Sequence, residues 1–416
     1  MTKKRVVKKV KKGQRPPQNQ MYRRKRRKKR RRIKKSVLIS FIAIVALVIA
    51  IFVVPASITK GKLKDLGYDS KTIKAIRDQK LSSEIIDNKY YSDYLAQEIL
   101  NGTIKKDYLD LYSVRTIDTP LEDKDFLLYH RLLDRGYSRK QANNIFKQLR
   151  FYEITPLLVF DYQLLESNYI KDCLDHRETN SESFFELSND YYTEYANSLP
   201  VDDPGNVSML INKTYYLNGD YAPASITDLS VVYAASGVSL AQEAATAFEE
   251  WVDAGMNLGV RFYAASAYRP YSSQEKLYND YTASMGQEKA DALSARPGYS
   301  EHQTGLTVDV ASVNSDGISE YKDTNEYAWT STNCQDYGWI LRYPEGKTQI
   351  TGYAFESWHY RYVGKELAQA VVASKLTYDE YYCLYLKPWN DPALAYAQAD
   401  QSQEETTSTP STQDAQ

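Results

Sequence analysis

Cysteine is scarce in this chain: Cys173, Cys334 and Cys383 lie far apart and form no C-x-x-C pair. That excludes a disulfide framework and a thiolate metal cluster. Histidine is nearly as rare, with only His130, His176, His302 and His359 in 416 residues. Any imidazole chemistry must come from these four. Acidic residues are missing from the first 35 positions, which carry 20 of the 53 Lys and Arg, so the rest of the chain is left at a net charge of −20 although the whole sums to zero. The balance therefore describes two environments rather than one neutral surface. Glycine and proline are modest at 18 and 14, whereas tyrosine is abundant at 37. Most of that tyrosine is read as core filler rather than a ligand-contacting face.

Residues 37–54 form an uncharged stretch of 18 residues dominated by Ile, Val, Ala and Leu. At ~1.5 Å per residue such a run is just long enough to span a bilayer as a helix. Basic residues before it and acidic ones after it place the N-terminus inside. The expectation is a basic cytoplasmic segment over 1–35 and an uncleaved transmembrane anchor over 36–55, with everything beyond lying outside the cell. The apolar run is longer than the core of a cleaved signal peptide. Contact of the basic run with anionic lipid accounts for it more simply than nucleic acid, so membrane lipid is expected as a partner and nucleic acid is not.

Residues 60–195 read as a mainly helical spacer. A weak echo recurs there: Leu66-Gly67-Tyr68-Asp69-Ser70-Lys71 returns as Arg135-Gly136-Tyr137-Ser138-Arg139-Lys140, with Ile73 and Ile76 matched by Ala142 and Ile145. Small helix-turn-helix units would give this pattern. A stretch rich in Pro, Gly, Asp and Asn over 200–219 marks a boundary. The catalytic domain is placed over 205–390, and the Gln/Ser/Thr/Glu-rich 397–416 is read as a disordered tail. Within the domain, Ser239 and Gln242 make a capping box before a helix that Gly255 would end. Residues 262–268 read as a strand, and Ser272 and Glu275 cap a second helix ending near Gly286. Leu306, Val308 and Val310 alternate with Thr307 and Asp309, a strand pattern with Asp309 on the polar face. Residues 339–343 and 353–363 look extended. Helices followed by short strands indicate an α+β fold.

Three polar clusters carry the chemistry. His302 precedes Asp309 by seven residues, with Gly305 between them, and Glu356 precedes His359 by three. A catalytic zinc takes three His or carboxylate ligands and keeps one open position. His302, Asp309 and His359 meet that need, and Gly305 would let the backbone turn so that His302 and Asp309 converge. Glu356 is the candidate base for the attacking water. Spacing alone leaves two structural histidines and two surface carboxylates equally open. Glu356 and His359, three apart, would point to opposite faces of a regular strand, so the zinc reading requires a bend between them. The third cluster holds Arg269, between a strand and a helix, with Gln274 five residues on. Arg offers a planar fork for a free C-terminal carboxylate, and Gln274 could bond a substrate backbone; a surface Arg paired with a nearby acid is the alternative.

Together the three blocks, 266–274, 299–310 and 337–364, resemble the zinc D,D-/L,D-carboxypeptidases, a family that includes the vancomycin-resistance D,D-carboxypeptidases and Gram-positive L,D-carboxypeptidases. The resemblance implies His302, Asp309 and His359 as ligands of one Zn2+ and Glu356 as catalytic base. It implies Arg269, Gln274 and Ser300 as substrate-pocket residues. It also implies a compact α+β domain whose small antiparallel sheet bears the metal, and peptidoglycan stem peptides as substrate. Ser357 stands where Pro is usual in the family, and Thr307 where Ala is usual; neither is a ligand. The expected activity is removal of the terminal D-alanine from wall stems, outside the membrane of a Gram-positive bacterium. The alternatives are an endopeptidase using the same zinc site and a non-catalytic wall-binding module.

Overall fold

A computed structural model describes residues 35–389 apart from 49–50, 52, 117, 160–165, 178–193, 197 and 316. The basic segment up to residue 34 and the 397–416 tail lie outside the described residues. The chain divides into two units, Met1–Asp65 and Leu66–Gln416.

The first unit corrects one expectation. Among the described residues its apolar run carries the helix Lys35–Val48, and a second helix is described over Val54–Asp65. Pro55 sits in the first turn of the second helix, where its missing N–H costs nothing; further into a helix it would break the ladder. No helix among the described residues is long and apolar enough to cross a membrane, which does not bear out the transmembrane anchor expected over 36–55.

In the second unit, the described residues of the stretch that follows are mainly helical, and the sequence echo is a structural repeat. Gly67 and Gly136 take φ of +113° and +106°, a region open to glycine and strained for other residues. Each precedes a tyrosine and a side-chain-capped helix. Asp69 accepts from Thr72 N at 2.7 Å before the helix Ser70–Asp78. Ser138 accepts from Gln141 N, and Gln141 reciprocates onto Ser138 N, before the helix Arg139–Gln148. Ile73 and Ile76 in one copy and Ala142 and Ile145 in the other are buried. The region joins the C-terminal helices through Thr155 Oγ1, which donates to Glu380 Oε1 at 2.6 Å, and Tyr152, whose hydroxyl donates to Ser374 O.

The rest of the chain is built on short strands. β1 (Leu199–Pro200) pairs in parallel with β2 (Tyr215–Tyr216), and β3 (Ile226–Asp228) pairs antiparallel with β4 (Ser239–Ala241). The main sheet holds β5 (Phe262–Ser266), β6 (Thr307–Ser312), β7 (Trp339–Leu341) and β8 (His359–Tyr362) in the antiparallel order β5-β6-β8-β7. The helix Gln242–Asn257 packs across it. Phe248, Trp251 and Val252 on that helix meet Phe262, Val308, Val310, Trp339 and Tyr360 of the sheet. Trp251 stacks 6.0 Å from Trp339 and lies edge-on 4.9 Å from Phe262. Together these form the α+β core that the alternating pattern of β6 predicts.

Several element boundaries differ from expectation, among them the second helix, which starts at Tyr271 after Pro270 rather than behind a Ser272 cap. Ser239 is not a helix cap: it pairs with Asp228 in β4, and Gln242 accepts from Thr227 Oγ1 instead of closing a capping box. Gly255 lies inside its helix, where a Cβ would press to 2.9 Å from Phe262. Extended structure after residue 353 is confined to His359–Tyr362.

Candidate metal centre

Sheet register makes the site. In the β6–β8 ladder Asp309 lies directly opposite His359. Opposed residues of an antiparallel pair hold their side chains on one face about 5 Å apart. His302 arrives from the short 3-10 turn Glu301–Thr304, which ends at Gly305 with φ +69°. A Cβ on Gly305 would sit 3.0 Å from Pro223 and 3.1 Å from Ala241 N, so both the backbone angle and the space call for glycine. The expected convergence of His302 and Asp309 is found. The bend required between Glu356 and His359 is a turn, closed by His359 N donating to Glu356 O at 3.3 Å, with β8 starting only at His359.

Ligand atoms of His302, Asp309 and His359 all lie within 4.8 Å of one another. His302 Nε2 is 3.2 Å from Asp309 Oδ2, and His359 Nδ1 is 3.2 Å from Asp309 Oδ1. Tetrahedral zinc with bonds of about 2.0–2.1 Å spaces its ligand atoms about 3.3 Å apart. Asp309 Oδ1 is buried and makes no hydrogen bond among the described residues. A buried carboxylate oxygen without a donor is costly, and a cation satisfies it. The far ring nitrogens have their own partners: His302 Nδ1 lies 2.6 Å from Ala267 O, and His359 Nε2 lies 3.5 Å from Glu301 Oε2. Those partners assign His302 Nε2 and His359 Nδ1 to the metal side. The donor set fits zinc.

Electrostatics favour that role at His302 and Asp309; at His359 burial lowers the pKa, but the Asp309 and Glu301 carboxylates outweigh it and raise it to about 9, so a metal binding there displaces a proton. Burial, helped by the Arg269 charge, lowers the His302 pKa against the raising effect of Asp309, which favours the neutral, ligating imidazole. Burial works against the Asp309 charge, but His302 and His359 outweigh it and hold the carboxyl well below its usual range. Burial pushes Glu356 up to about 7, with Asp309 adding to the shift and His359 and Arg269 opposing it. A cation bound beside Glu356 would draw it back down. Its Oε2 lies 3.3 Å from His359 Nδ1.

The ligands face a pocket of about 260 Å³ lined by Arg269, Gln274, Ser300, Tyr343, Tyr353 and Trp358. A larger groove of about 620 Å³, flanked by Tyr221, Glu243 and Tyr362, lies elsewhere and holds none of the three ligands. Arg269 follows β5, and its Nε donates to Gln274 Oε1 at 2.7 Å. Gln274 is buried, and its amide nitrogen donates to Ser294 Oγ and Ala295 O. Its side chain is therefore committed to protein partners, and its route to a ligand runs through Arg269. Ser300 is buried beside His302. Sequence reasoning singled out neither Glu301, buried behind His359, nor Tyr343, whose ring lies 4.7 Å from the His359 ring. The signal for Glu301 was its position inside the Ser300-Glu301-His302 motif. Nothing in sequence distinguished Tyr343 among 37 tyrosines.

A three-ligand His/Asp/His centre, open to a pocket with a half-buried carboxylate, Glu356, and a half-buried arginine, Arg269, is the arrangement of a zinc metallopeptidase. The sequence profile of the family described as VanY: D-alanyl-D-alanine carboxypeptidase matches residues 237–365. The YodJ protein of Bacillus subtilis (strain 168) is 34% identical over 219 residues, covering 50% of this chain and 80% of that protein. The bifunctional D-Ala-D-Ala dipeptidase and D-Ala-D-Ala carboxypeptidase VanXYC of Enterococcus gallinarum is 32% identical over 182 residues, 42% of this chain and 94% of its own. A solved structure of the vancomycin-resistance D,D-pentapeptidase VanY with Zn(II) shares 30% identity over 42% of this chain and 98% of that one, with a TM-score of 0.37. The chain belongs to the VanY family of zinc carboxypeptidases.

Proposed function

We propose that this zinc carboxypeptidase removes the terminal D-alanine from peptidoglycan stem peptides on the outer side of the cell membrane, with Glu356 as base and Arg269 as carboxylate clamp. The observation that carries the reading is the juxtaposition in one pocket of His302, Asp309 and His359 with Glu356 and Arg269. A zinc ion held by the three ligands supplies polarisation of the scissile carbonyl and of the attacking water. Glu356, beside His359, accepts the proton of that water and passes it to the leaving amine. The Arg269 fork binds the free carboxylate of the last residue; burial lowers its pKa, an effect that a bound carboxylate opposes. Gln274 holds that fork in orientation through its 2.7 Å bond to Nε. Ser300, beside His302 on the pocket wall, bonds the substrate backbone.

An internal peptide bond offers no carboxylate to the half-buried Arg269, so the clamp favours an exopeptidase. The test is mass spectrometry of the protein with pentapeptide and tetrapeptide wall stems, with and without a chelator. Loss of one alanine, abolished by chelation and restored by zinc, is expected; loss from the pentapeptide assigns D,D and from the tetrapeptide L,D cleavage. Intact stems in the presence of zinc-loaded protein would sink the exopeptidase reading.

A further inference from the structure

Behind the metal centre lies a buried charge network that the reaction does not itself use. Glu301 is fully buried, and its Oε1 accepts from Arg342 Nε at 2.8 Å and from Arg361 NH1 at 3.1 Å. Arg342 continues to Asp379 through NH1 at 2.6 Å and NH2 at 3.2 Å, and Asp379 Oδ1 accepts from Asn212 Nδ2 at 2.9 Å. Arg361 NH2 donates to the carbonyls of Val207 and Met209. Two arginines face two carboxylates, so the charges balance, as buried ions must. Both arginines reach Glu301 through the same oxygen. The other oxygen, Oε2, turns away from them toward His359 Nε2, 3.5 Å off, at the long limit of a hydrogen bond.

That second oxygen is what the metal site requires. His359 presents Nδ1 toward Asp309; with zinc held on Nδ1 the remaining ring proton resides on Nε2, and Nε2–H needs a buried acceptor. Among the described residues the acceptor that meets it is Glu301 Oε2. His302 solves the same problem with the opposite nitrogen and a backbone carbonyl. A carbonyl orients a ligand; a carboxylate also makes the imidazole a stronger donor to the metal. Resting on the reading of His302, Asp309 and His359 as zinc ligands, we propose that Glu301 is a positioning residue that fixes His359 with Nδ1 toward the ion and strengthens it as a ligand. Arg342 and Arg361 in turn hold Glu301 ionised and in place.

The rival account is that Glu301 only neutralises two arginines. Zinc affinity, measured on the full chain by competition with a chromophoric chelator, separates the two, together with the visible spectrum of the Co(II)-loaded protein. Glu301→Gln is expected to weaken zinc binding about 10- to 100-fold and to shift the Co(II) bands. Should that variant not fold, Glu301→Asp keeps the charge for both arginines but withdraws the carboxylate by about 1.5 Å, with the same expected loss of affinity. Asp379→Asn disturbs the same arginine without touching His359; it should lower Tm and leave zinc affinity within about threefold. Folded Glu301 variants with unchanged affinity and spectrum would overturn the proposal. So would an equal loss of affinity in Asp379→Asn. If the unsubstituted protein itself holds no zinc, the ligand assignment falls instead, which is a distinct result.

Discussion

At the scale of single residues, the site separates holding the metal from using it. Glu356 touches His359 but completes no part of the three-ligand set, so Glu356→Gln should retain zinc and lose turnover by about 10²- to 10⁴-fold. Metal analysis beside a stem-hydrolysis assay checks this; a variant that keeps its rate would remove Glu356 from the reaction. Arg269→Ala removes a charged hydrogen bond worth ~1.5–3 kcal/mol, so kcat/KM on stems with a free carboxylate should fall about 10- to 100-fold. An amidated stem, which lacks that charge, should lose far less between the two proteins. If the amidated and free stems suffer equally, the clamp is not at the carboxylate. Asp291 offers a test away from the chemistry. Burial opposes its charge, but Arg296, at 2.7 Å, and Tyr278 outweigh that and lower its pKa. A depressed carboxylate stabilises the fold above the unfolded pKa of ~3.9, and that contribution vanishes as pH falls through the folded value. Thermal melts should therefore show Asp291→Asn less stable than the natural chain at neutral pH and converging with it below about pH 4. A gap that persists in acid would mean the pair is not its origin.

At the scale of elements, the metal centre depends on register. Asp309 and His359 meet because β6 and β8 pair residue against residue, and a slip of one position would turn Asp309 to the core face. The two departures from the family pattern fall on this same structure. Thr307 Oγ1 and Ser357 Oγ are both buried without a hydrogen-bond partner among the described residues. An unsatisfied buried hydroxyl costs stability that an apolar group of equal shape does not. Thr307→Val should accordingly raise stability by about 1 kcal/mol, read as a higher Tm with zinc content unchanged. A lower Tm would indicate that the hydroxyl has a partner in solution. The alternation of Val308 and Val310 with Asp309 was readable in sequence because it is a local period of two. Ser239 was misread because a serine followed three residues on by glutamine satisfies the capping pattern, while its pairing with Asp228 depends on a strand eleven residues upstream.

At the scale of the whole molecule, metal binding and folding are linked. The three ligands come from the 3-10 turn, β6 and β8, so an ion bound by all three stabilises only the assembled sheet. At free zinc one hundred times its Kd the gain is about 2.7 kcal/mol. Chelation should lower Tm and abolish hydrolysis together, with zinc restoring both; a Tm indifferent to zinc would show that the three ligands do not act on one ion. The helical repeat belongs to this same unit, tied to the C-terminal helices by Thr155 and Glu380.

The amino-acid sequence by itself determined the donor types, the glycine at 305, the strand that carries Asp309 and the order of the three blocks, because each is a local choice of residue or period. It also carried the family resemblance. Only the tertiary structure decided which oxygen of Glu301 faces His359, and that Gln274 spends its amide on Arg269, Ser294 and Ala295. Those outcomes depend on groups up to sixty residues apart in the chain, Glu301 and Arg361 among them. No local period records which of many buried polar atoms will meet once the sheet closes.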